Sequence, residues 1–192
     1  MDTLLNSEIG TIDQDTSLVK NDKSKEDTID CKIDSYFSKI ELPLRIDYDF
    51  LISFERRKIK KQIPYECIGD GTIEYYQGLP ASVNYAYGKI NIKDTLDYYL
   101  VITGPNPDNP LDMAFISASI MTKDLDKLDN EIQIAKYHYY SRITEEYYCT
   151  INENGLIEQN YKHTGEYEGK KDVFKQGDTT YNLLKYWNKN LR

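Results

Sequence analysis

Apolar and polar residues alternate along several stretches of the chain, and this period of two predicts half-buried β-strands. The alternation is clearest over Leu44–Phe50 and within Ser82–Ile92. Further strand-like runs, rich in β-branched and aromatic residues, are Tyr98–Thr103, Met113–Met121, Ile143–Ile151 and Leu156–Tyr161. The pattern over Glu131–Tyr140 predicts either a strand or a short amphipathic segment.

Helical spacing appears at two places instead. One helix face is formed by Ile29, Ile33, Tyr36, Phe37 and Ile40. A short helix is predicted there, with Asp30 near its N-terminus and Pro43 after its end. Near the end of the chain, the run that follows Asp178 predicts either a last helix or a final strand.

Turn-forming residues separate the strands. Asn152–Gly155 predicts a hairpin turn with its glycine at positive φ, and three prolines in Gly104–Pro110 predict a loop that no strand ladder crosses. Further turns are predicted at Gly165, Gly169 and Gly177. Short turns without regular helices between strands favour antiparallel pairing. The predicted fold is mainly β, an antiparallel sheet or sandwich with one or two short helices, and α+β is the alternative.

The first 30 residues differ in composition from the rest. They contain no Phe, Tyr, Trp or Pro, and they carry eight acidic residues against three lysines. Such a segment cannot bury enough apolar surface to offset the entropy lost on ordering. It also lacks the basic start and apolar run of a signal peptide. We therefore expect residues 1–30 to form a flexible acidic tether and residues 31–192 a single β-rich domain.

Charge narrows the classes of partner. The 192 residues have a formal net charge of −8, which disfavours nucleic acid because that binding depends on neutralising phosphates. No stretch approaches the roughly 20 apolar residues of a membrane span. One basic cluster, Arg56–Lys61, predicts a charged sheet edge that discourages aggregation, or alternatively a docking point for phosphates or an acidic partner.

Candidate catalytic groups are few. The chain has three cysteines, Cys31, Cys67 and Cys149, whose spacing matches no zinc pattern and favours three thiols over one disulfide. Catalysis by Cys149 would need His138 or His163 in contact with it. Because Cys149 shares a strand face with Tyr147 and Ile151, a buried structural cysteine is predicted instead. No cofactor and no metal site are predicted.

Carboxylates offer a second route to catalysis. Glu145 and Glu146 are adjacent on a predicted strand and point to opposite faces, so Glu131 or Glu158 would have to complete a pair across one bond. The acidic run Asp124–Glu131 lacks the helix–loop–helix calcium pattern. It predicts a solvated hairpin connection, with calcium binding as the alternative.

Tyrosine, used 18 times, is the most informative residue type. A Tyr-Tyr pair on a strand sends one ring to each face, so one ring of each pair is predicted to be buried and the other exposed. Exposed rings on neighbouring strands would form a platform for a sugar ring, a peptide or a protein; the alternative is that they only cover the sheet. The candidate binding residues are Tyr75, Tyr76, Tyr85, Tyr87, Tyr98, Tyr99, Tyr139, Tyr140, Tyr147 and Tyr148.

The layout resembles small cell-envelope lipoproteins of the Bacteroidetes type, in which an acidic tether precedes a Tyr- and Lys-rich β domain. The segments that carry the resemblance are Asp2–Asp30, Ala114–Ile120 and Thr150–Ile157. The resemblance implies a lipid anchor in the native precursor. This sequence departs from the family pattern in that it shows neither a signal segment nor a lipobox cysteine. A native start at Met1 would instead predict a cytoplasmic protein.

These observations predict a non-enzymatic binding domain that contacts a protein or a glycan, with the cell envelope as its expected location. One alternative is an acidic immunity or inhibitor protein that blocks a basic partner site. Another is a hydrolase that uses carboxylates or Cys149.

Overall fold

The computed structural model describes residues 30–69, 75–76, 79–92, 96–108, 114–167 and 170–183. Within these ranges, nine strands form one antiparallel sheet and two short strands form another. The expectation of a mainly antiparallel β-fold with short helices is confirmed.

The first elements are short. They are α1 (Ile33–Tyr36), β1 (Leu44–Ile46), α2 (Tyr48–Glu55), β2 (Lys61–Gln62), a 3₁₀ turn (Tyr65–Cys67), β3 (Tyr75–Tyr76) and β4 (Leu79–Pro80). The long strands follow as β5 (Ser82–Ile92), β6 (Leu96–Pro105), β7 (Ala114–Asp124), β8 (Lys127–Tyr140), β9 (Ile143–Ile151), β10 (Leu156–Tyr167) and β11 (Lys170–Asn182).

The long strands form a meander. Their order is β11-β10-β9-β8-β7-β6-β5-β2, so each strand from β5 to β11 pairs with its neighbours in sequence. Such connections need only short turns. The turn between β7 and β8 consists of Leu125 and Asp126, which confirms a hairpin within the acidic run.

Strand β9 has two successive partners along one edge. Ile143–Tyr147 pairs with β8, whereas Cys149–Ile151 pairs with β1, and Tyr148 has a register partner only on β10. β8 and β1 therefore pair with successive parts of the same edge of β9 and separate at Tyr148. We call this point the fork.

A bulge in β8 accompanies the fork. Ala118 and Ser119 of β7 pair with Ala135 and Gln133, which leaves Ile134 as an additional residue. The side-chain amide of Gln159 on β10 donates to the carbonyls of Gln133 at 3.2 Å and Ile134 at 2.9 Å. The amide thereby pairs two backbone carbonyls in a part of β8 that has no register partner on β9 among the described residues.

The sheet is strongly curled. β9 and β5 are four places apart in the strand order, and a flat sheet would separate them by roughly 19 Å. Yet a Cβ on Gly155, in the turn after β9, would lie 2.4 Å from Cδ1 of Ile92 on β5. Gly155 has a φ of +77°, as expected from the sequence.

Apolar clusters cover both faces of the sheet. The inner cluster takes residues from every strand between β5 and β10, together with Leu51 and Phe54 of α2. The outer cluster packs the segment around α1 and the 3₁₀ turn against Tyr99, Val101 and neighbouring residues. Because both faces are covered at β6, Tyr98 and Tyr99 are each only 1% exposed, and the prediction of one exposed ring was wrong for this pair.

A disulfide and a cluster of polar contacts hold the outer cluster together. Cys31 and Cys67 form a disulfide, so the expectation of three thiols was wrong. Asp34 of α1 accepts from Tyr99 Oη at 2.9 Å, Lys89 Nζ at 3.0 Å and Lys123 Nζ at 2.8 Å. The bonds from Lys123 and Lys89 hold the pKa of Asp34 well below its usual range.

Some predicted boundaries were wrong. The strand predicted over Leu44–Phe50 ends at Ile46, because the Asp47 side chain accepts from the Phe50 N–H at 3.0 Å and caps α2. Strand β6 continues through Gly104 to Pro105, the point where the predicted loop was to begin.

Two of the predicted glycine turns lie inside strands. Gly165 belongs to β10 and Gly177 to β11, where a Cβ would lie 2.6 Å from Tyr161 Oη. Gly177 therefore serves a close approach of a ring rather than a turn. Asp178 lies in the final strand β11. Residues 179–182 also belong to β11, so for them the final strand is confirmed and the helix with Tyr181 was wrong. Gly169 and the part of this run beyond Leu183 fall outside the described residues.

Candidate binding site

A cavity of about 180 Å³ opens at the fork between β1 and β8. We call it the notch. Its walls and floor combine four tyrosines with two cations and two carboxylates: Arg45, Asp47, Tyr48, Lys136, Tyr137, Glu146, Tyr147 and Tyr148. The notch lies where none of the described strands pairs with Tyr148 on that edge of β9.

The first wall comes from the junction of β1 and α2. Asp47 caps α2 and also accepts from Arg45 Nε at 3.0 Å. This second contact orients the guanidinium, which is otherwise largely exposed. Tyr48, the first residue of α2, is 45% exposed, so one wall presents an ion pair beside an open aromatic ring.

The second wall comes from β8. The ring of Tyr137 lies 4.5 Å from the ring of Tyr48, centroid to centroid, at an angle of 55°. Burial raises the pKa of Tyr137, and the neighbouring Tyr48 and Glu146 raise it further. The Tyr137 phenol is therefore protonated at neutral pH and available as a hydrogen-bond donor.

The floor is the part of β9 next to the fork. Glu146 is half-buried opposite Tyr137 in the strand register, and Tyr148 is 37% exposed. Tyr147 is more enclosed: its hydroxyl lies 3.1 Å from Nε2 of His163, and its ring stacks on Tyr161 at 5.7 Å. These contacts hold the Tyr147 side chain in place.

Lys136 connects the notch to a polar cluster on β8 and β9. Its Nζ lies 2.8 Å from Glu145, which also accepts from Tyr140 Oη at 3.1 Å. Burial opposes ionisation of Glu145, but the contacts from Lys136 and Tyr140 outweigh it and the pKa lies below its ordinary value. His138 Nδ1 is 3.8 Å from the same carboxylate.

His138 is held in its neutral form. Its ring packs near Phe115 and Tyr140, and its Nε2 is buried without a hydrogen-bond partner. Burial lowers the pKa of His138, and the charge of Lys136 lowers it further, while Glu145 acts in the opposite direction.

Of the candidate tyrosines, only Tyr147 and Tyr148 line the notch. Tyr139 is 42% exposed elsewhere on β8, and Tyr140 is bonded to Glu145. Tyr75 and Tyr76 form β3 in the separate two-stranded sheet. Tyr98 and Tyr99 are buried, which excludes them from surface contact.

Tyr85 and Tyr87 are half-buried beneath side chains of α2 and the basic cluster. Phe50 lies 4.9 Å from the Tyr87 ring, and Phe54 lies 6.1 Å from the Tyr85 ring. Arg57 covers Tyr87 at 5.2 Å. These two tyrosines therefore support α2 and do not form an open platform.

The basic cluster itself is largely engaged in packing. Lys60 lies 4.9 Å above the Tyr85 ring and 3.1 Å from Glu55, and Lys61 lies 5.0 Å above the Tyr36 ring. With Arg57, three of its cations stack on aromatic rings. This agrees better with the predicted charged edge than with a phosphate site.

Groups that could carry covalent chemistry are poorly placed for it. Cys149 is 1% exposed within the inner cluster, and burial raises the pKa of its thiol to about 12. The thiolate needed for nucleophilic attack is therefore not populated at neutral pH. Within the described part of the chain, no three His, Cys, Asp or Glu side chains are grouped to hold a metal ion.

Sequence reasoning missed the first wall of the notch. Arg45, Asp47 and Tyr48 were assigned to one strand, although Asp47 has the character of an N-cap before the apolar residues Leu51 and Phe54. That signal could have located α2. The fork could not be found in this way, since it depends on β1 pairing with a strand about a hundred residues later.

Neither helix among the described residues has the length and apolar character that crossing a membrane requires. Comparison with protein-family models, with curated proteins and with solved structures finds no match to this chain.

Proposed function

We propose that this protein is a non-enzymatic binding domain that contacts its partner through the notch. The observation that carries the proposal is the concentration of four tyrosines and four charged groups around one cavity. Tyrosine supplies a broad apolar ring and a polar tip at low entropic cost, which suits a contact surface. Arg45, Asp47 and Tyr147 are already held by neighbouring groups, so little order is lost on binding.

The hydrolase alternative receives less support from the same region. Glu145 is occupied by Lys136 and Tyr140, while Glu146, its neighbour along β9, lines the notch. A pair of carboxylates flanking one bond would need a second acid in the notch beside Glu146. The acid available there, Asp47, is engaged by Arg45 and by the Phe50 N–H.

We also propose that the domain works at the cell envelope. The disulfide between Cys31 and Cys67 supports this location, because such bonds persist in oxidising compartments and are rare in the cytosol. Alkylation of thiols in intact cells tests the point. Residues 31 and 67 should resist a permeant alkylating reagent until a reductant is added, whereas free thiols at both positions would favour the cytoplasmic alternative.

Binding is tested by screening a glycan array and a random peptide display library with three proteins. These are the wild type, Tyr148→Ala in the notch, and Tyr139→Ala as an equally exposed tyrosine outside it. We expect ligands that the wild type and Tyr139→Ala retain and Tyr148→Ala loses.

Two results would contradict the proposal. Ligands that bind all three proteins equally would place the contact elsewhere. Salt-sensitive capture of a basic protein, independent of Tyr148, would favour the inhibitor alternative.

A further inference from the structure

We infer that the notch accommodates one pyranose ring of a glycan. The inference rests on the proposed function and specifies the ligand class for the same site. It follows from the size of the notch, the arrangement of its rings, its polar groups and the surface around it.

Size favours a single ring. Pockets for drug-sized ligands measure roughly 300–1,000 Å³, whereas the notch measures about 180 Å³. The notch also opens to solvent, with the rings of Tyr48 and Tyr148 both partly exposed. One sugar unit can enter while the units on either side remain outside.

The rings suit the faces of a sugar. A pyranose presents axial C–H groups on its face and hydroxyls around its edge, so it packs face-on against an aromatic ring and forms hydrogen bonds at its rim. Tyr48 and Tyr137 meet at 55° and do not stack in parallel. Tyr48 lines the cavity and is 45% exposed, so it is the aromatic ring that a sugar can contact.

The polar groups match a neutral ligand with many hydroxyls. Arg45 offers a donor, Asp47 and Glu146 offer acceptors, and the phenols can do either, whereas the Lys136 ammonium is held by Glu145. Arg45 is paired with Asp47 and Lys136 with Glu145, so Glu146 is the lining charge without an ion-pair partner among the described residues. Recognition there depends on directed hydrogen bonds and does not require a charged partner.

The surroundings favour a sugar over a protein. A stable protein interface buries at least about 1,200 Å². The large apolar side chains exposed among the described residues are dispersed. Ile59, Leu125 and Val173 lie away from the notch, and only Tyr48 and Tyr148 line it. The notch thus has an aromatic centre without a broad apolar surround.

The test is titration of the folded protein with methyl glycosides of glucose, galactose, mannose and N-acetylglucosamine, followed by NMR. At least one should bind saturably with a Kd in the millimolar range, since a ligand of about a dozen non-hydrogen atoms gains limited affinity. Tyr148→Ala and Tyr48→Ala should each weaken it several-fold to about tenfold through lost stacking. Glu146→Gln should weaken it by about tenfold or more.

Matched controls separate the notch from the general surface. Tyr139→Ala and Glu158→Gln, both exposed and outside the notch, should leave the affinity unchanged. Tyr48→Phe should retain most of the stacking. If Tyr48→Ala does not fold, Tyr148→Ala and Glu146→Gln still decide the outcome.

The outcomes distinguish the two proposals. Saturable binding that only the notch variants weaken supports the pyranose. If no glycoside binds at concentrations well above the expected millimolar Kd, but a library peptide binds in a Tyr148-dependent way, the ligand class is wrong and the binding function stands. If no ligand binds in a Tyr148-dependent way, the proposed binding function and the pyranose inference both fail. If all variants bind a glycoside equally, the glycoside does not bind in the notch.

Discussion

Two groups of tyrosines on the same sheet differ in the exposure of their side chains. Tyr85 and Tyr87 on β5 lie beneath Phe50, Phe54 and cations of the basic cluster. At the notch, by contrast, Tyr148 on β9 remains partly exposed because two strands part beside it. Residue type and strand period are alike in the two regions. The two regions differ in the element packed above each ring. The exposure of a tyrosine is therefore set by the residues that cover it in the folded protein.

The two regions differ in charge chemistry as well. The cations above the β5 tyrosines are the side chains of Arg57 and Lys60. The chain has two histidines, and both lie on the notch side, His138 on β8 and His163 on β10. Burial lowers the pKa of His138, so we expect sensitivity to mild acid on that side.

The largest expected effect is on stability, at the covered region. Phe54 is 2% exposed and contacts both Tyr85 and Tyr87. Phe54→Ala should reduce the free energy of unfolding by about 3 to 5 kcal/mol, because it removes a buried ring and leaves a cavity. Urea denaturation measures this. A loss below about 1 kcal/mol would show that α2 does not cover these tyrosines firmly.

The second prediction concerns pH. Since the folded pKa of His138 is lowered, protonation favours the unfolded chain, and stability is lost as pH falls from about 6.5 through the folded pKa. Between about pH 7.5 and about pH 5, the urea midpoint of the wild type should fall more than that of His138→Gln. Equal slopes in the two proteins would contradict the burial of a neutral imidazole.

A smaller effect is expected from Arg57. Arg57→Ala removes the cation 5.1 Å from Phe54 and 5.2 Å from Tyr87 and should cost about 0.5 to 1 kcal/mol. It should also increase the reactivity of Tyr87 toward nitration, measured by peptide mapping. Arg56→Ala, an exposed neighbour, serves as the control. Unchanged nitration of Tyr87 would mean that Arg57 does not shield it.

The smallest stability effect is expected at the notch itself. Tyr148→Ala truncates a partly exposed ring and should change the free energy of unfolding by less than about 0.5 kcal/mol, while weakening ligand binding. Thermal unfolding beside the binding titration measures both. A large destabilisation would indicate that Tyr148 is primarily structural, which would remove the contrast with Phe54.

Several local elements could be predicted to the residue. Ser82–Ile92 and Ile143–Ile151 have the bounds that their alternating patterns indicate, and Gly155 has the positive φ of its turn. These features depend on neighbours in sequence, such as side-chain period and backbone sterics. Assigning Tyr48 to a strand was wrong, because the cap formed by Asp47 outweighed a short alternating pattern.

Local sequence thus predicted most of the strands, their antiparallel pairing and the burial of Cys149. Only the tertiary structure decided that Cys31 meets Cys67, that Tyr98 and Tyr99 are both covered, and that β1 joins β9 and leaves the notch beside Tyr148. The physical reason is the separation in sequence between the residues that each feature requires. The alternation along a strand is set by adjacent residues. The disulfide, the burial of both faces of β6 and the fork each require segments distant in sequence to pack together.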